Sequence, residues 1–289
     1  MDDYKDFVPN VHFELIPIKN LVSNQEYQRG LSEKHIQRTA ENFDLYQINP
    51  VKVSRREGVN FVFNGQHTIE IVASVSGSRE TPVWCMVYDD MDYMTEADVF
   101  ANQQKYVKNL LPYEIFIANI EAGNHEQLMI KTLVESYGLN ISSSGNGPNS
   151  ICAISSLEYI NSKYGYHVLD RTLRLIVATW EGEEWSLSAN MLKGVAKLVD
   201  TFGEKLRDDV FKEKVGLYSA KEISRTAKER KGGTMGYSEA MLIAYNRKMK
   251  RGLPWAELYS KKRKTSSEPM SEEEFEETPD LFEIEEEST

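Results

Sequence analysis

Hydrophobic and polar positions alternate with a short period in the first third of the chain and with a helical period in the rest. Residues 13–22 (Phe13, Leu15, Ile16, Ile18, Leu21, Val22) predict a short strand running into a turn. Ser32 stands as an N-cap before Ile36, Ala40 and Phe43, whose spacing predicts one helical stripe broken at Asn49-Pro50. Val51-Lys52-Val53 alternates like a strand, Arg55 to Gly58 reads as a turn, and Phe61-Val62-Phe63 reads as the next strand. Asn64-Gly65 then turns the chain into a helix carrying Ile69, Val72 and Ala73. Residues 82–88 predict a buried strand, and Thr95 with Asp98 has capping-box spacing for another helix. Pro112 suits the first turn of the helix after it.

Beyond residue 112 the pattern gives no strand series. Stretches near 126–138, 151–164, 169–181, 187–201, 204–214, 219–230 and 236–250 predict helices, and 142–150 predicts a loop or hinge. The expected fold class is α+β: a first domain over 10–112, a helical domain over 113–260, and a tail over 261–289 too poor in apolar residues to fold alone. Residues 126–141 are a candidate helix-turn-helix, against the plainer reading of two packed helices.

Charge sharpens the second half. The net charge of −11 is carried by the tail: 267–289 holds eleven acids and no Lys or Arg, and the rest holds 34 of each sign. Within that neutral body, 221–264 holds thirteen basic and four acidic residues. Such a run attracts phosphates without regard to sequence. The candidate DNA-binding residues are Lys228, Arg230, Lys231, Arg247, Lys248, Lys250, Arg251, Lys261, Lys262, Arg263 and Lys264, with Lys221 and Arg225 on the same helical spacing. Tyr245, Trp255 and Tyr259 are placed to stack on bases or to pack in a core. The acidic tail could fold back on this patch or recruit a protein partner. The stretch from Trp180 to Trp185 pairs two aromatics with three acids and is expected as a helix–helix loop with both tryptophans packed inward.

Two cysteines, Cys85 and Cys152, lie in apolar surroundings with no metal-ligand spacing, which argues against a zinc site or a disulfide scaffold. No apolar run approaches the roughly 20 residues that span a bilayer, and the acidic start lacks a signal-peptide core. The expectation is a cytoplasmic protein with no membrane contact.

A strand that ends in Asn64-Gly65 and enters a helix aims backbone N–H groups at one place, a setting that favours anions. The plain alternative is an ordinary strand–helix turn. Read in order, Asn24 to Arg29, Gln47 to Val53 and Gly65 to Thr68 resemble the ParB N-terminal-like domain of the ParB/sulfiredoxin superfamily. There an Arg-bearing loop, a Pro-led strand and a glycine-led motif follow one another. Ala101 to Lys105, with Leu110 to Glu114, is similar to a further ParB segment, at a spacing two residues longer. The resemblance implies binding of a nucleotide triphosphate, CTP with magnesium, by Arg29, Gly65, Gln66, His67, Thr68, Asn102, Gln104 and Lys105. It also implies association with DNA, homodimerisation, and a role in maintaining or regulating a phage, plasmid or integrated element.

The departures bear on chemistry. Thr68 stands where ParB has Arg, and Ala101 where it has Glu. Gln66 stands where sulfiredoxins have their nucleophilic Cys, so that thiol chemistry is excluded. Two other functions stay open: a nucleotide hydrolase or metal-dependent nuclease, with Asp89, Asp90 and Asp92 as carboxylate candidates, and a non-catalytic adaptor.

Overall fold

The structure is a computed structural model that describes residues 10–23, 27–28, 30–89, 91–103, 105, 109–144, 147–183 and 185–260. The chain divides into two units, Met1–Asn109 and Leu110–Thr289. Together they make an α+β protein with its larger sheet in the first unit.

The first unit contains β1 (Val11–Pro17), β2 (Leu21–Val22), α1 (Glu33–Glu41), β3 (Val51–Arg56), β4 (Val59–Asn64), α2 (Gln66–Ser76), β5 (Pro82–Tyr88) and α3 (Tyr93–Asn102). The strands form a mixed sheet in the order β1-β5-β3-β4-β2. β1 runs antiparallel to β5, with Leu15 opposite Trp84. β3 is parallel to β5 and antiparallel to β4. Because side chains alternate along a strand, one sheet face is apolar throughout. Ile16, Val51, Val53, Val62, Val83, Cys85 and Val87 pack there with Ile69 of α2. Each such buried aliphatic side chain contributes about 2 kcal/mol relative to exposure. On the other face Phe13, Leu15 and Trp84 are exposed.

Some element boundaries differ from the sequence reading. α1 stops at Glu41, so Phe43 falls outside it, and a 3₁₀ turn over Leu45–Gln47 occupies the rest of the expected helix. The helix expected at Thr95 starts two residues earlier. Asp92 caps it, accepting from the Thr95 N–H at 2.7 Å. An Asp side chain placed before the first turn satisfies a donor that Thr95 would have left open.

The second unit contains α4 (Pro112–Glu121), α5 (His125–Ser136), β6 (Asn140–Ile141), β7 (Ser150–Ile151), α6 (Ile154–Tyr164), α7 (Tyr166–Trp180), α8 (Ala189–Phe202), α9 (Asp208–Val215), α10 (Ala220–Arg230), α11 (Gly233–Asn246) and α12 (Trp255–Tyr259). Its core runs through Leu157, Leu173, Ile176, Leu192, Val195, Phe211, Ile223 and Met241. α8 and α11 approach closely at Gly194, where a Cβ would lie 2.8 Å from that of Tyr237. Ser238 Oγ donates to the Gly194 carbonyl across the same contact at 3.0 Å.

Strands do occur here, contrary to the expectation. β6 and β7 pair in parallel and bracket the predicted loop. Two residues per strand leave too little side-chain alternation to read in a sequence. The candidate helix-turn-helix at 126–141 holds one helix, α5. Its helical neighbour across a short turn is α4, on the N-terminal side.

Candidate functional site

The turn between β4 and α2 sets the geometry of the first unit. Gly65 is the N-cap of α2, at φ 103° and ψ 16°, and no side chain caps the helix. The helical ladder begins with the Ile69 N–H bonding the Gly65 carbonyl at 3.0 Å, so the first-turn amides lie outside it. A Cβ at Gly65 would lie 3.2 Å from Val51 Cα. Both the backbone conformation and the room available therefore call for glycine.

His67 Nε2 accepts from the Ser32 N–H at 3.2 Å, and its ring meets that of His35 edge-on at 5.4 Å. With Nε2 accepting, a neutral ring keeps its proton on Nδ1. This contact draws the start of α1 to the start of α2. From the other side, Asn64 Nδ2 donates to Gln103 Oε1 at 2.6 Å. Asn64, next to the Gly65–Thr68 stretch, thus meets Gln103 of the Ala101–Lys105 stretch, and neither was among the expected site residues.

The remaining candidates vary. Gln66 is buried and Thr68 half-buried. Asn102 folds back on its own helix, donating to the Asp98 carbonyl and side chain at 3.0 Å each. Lys105 is exposed. Arg29 and Gln104 lie outside the described residues. An open groove of about 1130 Å³ lies elsewhere, between α1 and the far end of α2, lined by Ile36, Ala40, Ala73 and Arg79.

A second polar group sits beside β4. Glu96 of α3 is fully buried, pairs with Arg56 and accepts from the Tyr27 hydroxyl. Arg56 also stacks over the Phe61 ring at 4.3 Å. Burial, then the Glu96 carboxylate, pushes the Tyr27 hydroxyl well above its ordinary value. This cluster joins the loop before α1 to the sheet and to α3. Sequence reading missed it because nothing in one dimension marks Glu96 as an inward acid.

Among the described residues no group of three His, Cys, Asp or Glu side chains could hold a metal ion. Asp89 pairs with His12 at 3.1 Å, Asp92 caps α3, and Asp90 lies outside the described residues.

The chain belongs to the family of unknown function DUF6551. The family's profile matches residues 22–256, from the end of β2 into α12. That stretch takes in the Gly65 turn, the Glu96 cluster and α10, and leaves out Lys261–Lys264 and the acidic tail. A solved structure of the C-terminally truncated chromosome-partitioning protein ParB from Caulobacter crescentus, complexed with CTP-gamma-S, matches at 14% identity and a TM-score of 0.34. The match covers 67% of this chain and 94% of that one. No curated protein matches.

In the second unit of this family member, the basic residues divide into engaged and open sets. Arg230 bonds Glu239 at 2.6 Å and Lys231 pairs with it at 3.4 Å. Tyr259 of α12 donates to the same carboxylate, and its ring lies 4.8 Å from Lys231 Nζ. Trp255 lies under Arg230 at 5.4 Å. Burial alone would push the Glu239 carboxyl up, but Tyr259, Arg230 and Lys231 together hold it below its ordinary value. These cations dock α12. Arg247 bonds the Tyr218 hydroxyl. Lys228, Lys248, Lys250 and Arg251 are exposed. Lys261, Lys262, Arg263 and Lys264 lie outside the described residues.

Proposed function

We propose that the chain is a DNA-associated protein of ParB type. Its first unit takes the phosphates of a nucleotide triphosphate, CTP first among them, at the start of α2, and its second unit presents basic helices to DNA. The observation that carries this is the glycine-led start of α2 at Gly65, with His67, Ser32 and His35 on one side and Asn64–Gln103 on the other. Backbone amides, a helix dipole and polar side chains converging on one place favour an anion. The order of sequence segments that resembles ParB supports the choice of nucleotide. Thr68 in place of Arg removes a bidentate phosphate donor, so binding is expected to be modest.

Calorimetry of the full chain with each of the four ribonucleoside triphosphates, with and without magnesium and DNA, tests this. The expected result is saturable binding of one nucleotide that His67→Ala weakens. Heat with none of the four, under any condition, overturns the nucleotide reading.

A further inference from the structure

The loop between α7 and α8 holds an unusual residue. Trp185 has φ 76°, in the left-handed region. A bulky aromatic there is a backbone outlier, costly to hold. The flanks hold it. Trp180 Nε1 donates to the Tyr218 carbonyl at 2.9 Å, and the Ser186 N–H and Oγ both bond the Glu183 carbonyl, at 3.1 and 2.7 Å. Glu183 in turn accepts from the Ala220 N–H at the head of α10, at 3.4 Å. Ser186 and Leu187 are buried on the far side of the turn, yet the Trp185 side chain stays 40% exposed. The strained backbone leaves part of the indole at a surface.

What that surface contains is specific. Trp185 lines a groove of about 480 Å³ with Lys221, Arg225 and Lys228 of α10, and with Ser219, Glu222, Ser224 and Glu229. The three cations lie at i, i+4 and i+7, on one helix face spanning about 10.5 Å. All three are exposed, and none takes part in the ion pairs found among the described residues. Of the acids, Glu222 is engaged by the cap of α10, accepting from the Ser219 N–H and hydroxyl at 2.9 Å each. Glu229 stands at the far end.

We propose that this groove binds single-stranded nucleic acid, with one base stacked on the Trp185 indole and the adjoining phosphates on Lys221, Arg225 and Lys228. Aromatic faces accept any base, and a row of cations follows a backbone without reading sequence. The proposal rests on the reading of the second unit as facing nucleic acid, and is independent of the Gly65 site.

The test is fluorescence anisotropy of labelled twelve-residue oligothymidylate, oligouridylate and a duplex of equal length, titrated with the full chain at 50 and 200 mM salt. Trp185→Gly removes both the indole and the backbone strain. It is expected to leave thermal stability unchanged or raised, and to weaken single-strand binding by roughly 5- to 150-fold without altering the salt slope. Lys221→Gln, Arg225→Gln and Lys228→Gln together are expected to lower the slope by about 2, at roughly 0.7 per phosphate contact on a single strand. Comparison of the thymidylate and uridylate arms distinguishes DNA from RNA as the source of the strand. A Trp185→Gly chain that loses stability makes the indole a packing residue and overturns the proposal. Undiminished binding by both variants overturns this site while leaving the broader reading intact. No binding of any oligonucleotide overturns both.

Discussion

Gly65→Ala is the sharpest probe of how the first unit is built. The substitution meets two separate penalties. The native φ of 103° and ψ of 16° lie beyond the small left-handed island open to side-chain-bearing residues, at a cost of about 2 kcal/mol. The new Cβ would also stand 3.2 Å from Val51 Cα and Cγ2 and 3.3 Å from Cγ1, inside ordinary carbon–carbon separation. Val51 is fully buried in a central strand and has nowhere to go, so overpacking adds about 1 kcal/mol. The sum, about 3 kcal/mol, corresponds to a drop of roughly 12–24 °C for a unit near 100 residues. Hydrogen exchange read peptide by peptide is the suitable assay, because two units need not unfold together. The loss should appear in β3, β4 and α2 and be absent from α6–α11. Pairing with Val51→Ala separates the two penalties. It removes both Cγ contacts, so the double variant should be less destabilised than the sum by about 0.5–1 kcal/mol. A loss under about 1 kcal/mol for Gly65→Ala, or strict additivity with Val51→Ala, would refute the reasoning.

Other outcomes follow from the buried charges and the thiols. Arg56→Met strands the buried Glu96 carboxylate and should cost about 3–5 kcal/mol, with much of the loss recovered in the Arg56→Met/Glu96→Gln pair. No recovery in denaturant melts would deny the pairing. The Glu239 carboxyl is held below its ordinary 4.5, so its contribution is present above that value and lost as pH falls beneath it. Glu239→Gln should cost about 2 kcal/mol at neutral pH and flatten the acid limb of the stability curve. An unchanged acid limb counts against the α12 clamp. Cys152 is exposed, whereas Cys85 is buried, and burial pushes its thiol up to about 11. One thiol should therefore react with a disulfide reagent in the native protein and the second only on unfolding; two fast thiols would contradict the core assignment.

The parts of the fold that could be read ahead are those where local and global preferences agree. Phe61 to Ala73 is one such place: alternation, then Asn-Gly, then a helical stripe, each matching the observed β4, turn and α2. The helical character of the second half was equally legible, because α7, α8 and α10 bury regular stripes. What escaped depends on partners distant in sequence. Cys152 has apolar neighbours on both sides, but it follows β7 at a strand–helix junction that turns it outward. Asn64 and Gln103 are 39 residues apart and look like ordinary polar positions until the fold joins them. Trp185 invited a core reading. Its left-handed backbone, which keeps it at the surface, follows from tethers to Tyr218 and Ala220 that no spacing announces.

The basic stretch shows most clearly how pairing changes a charge count. Between 221 and 251 the sequence offers nine cations, and if each met a phosphate on duplex DNA the salt slope would be about −8. The fold removes three of them from that role. Arg230 and Lys231 are held by the buried Glu239 and the rings of α12, and Arg247 by Tyr218. Breaking the Glu239 contacts to reach DNA would leave a carboxylate buried and unpaired, a cost greater than one phosphate contact returns. Six cations remain, giving a limiting slope of about −5 for this segment at roughly 0.9 per contact. Neutralising Arg230 should then lower stability and leave the slope alone, whereas neutralising Lys228 should do the reverse. Duplex titrations of the two variants across salt decide between charge as counted along the chain and charge as the fold leaves it exposed.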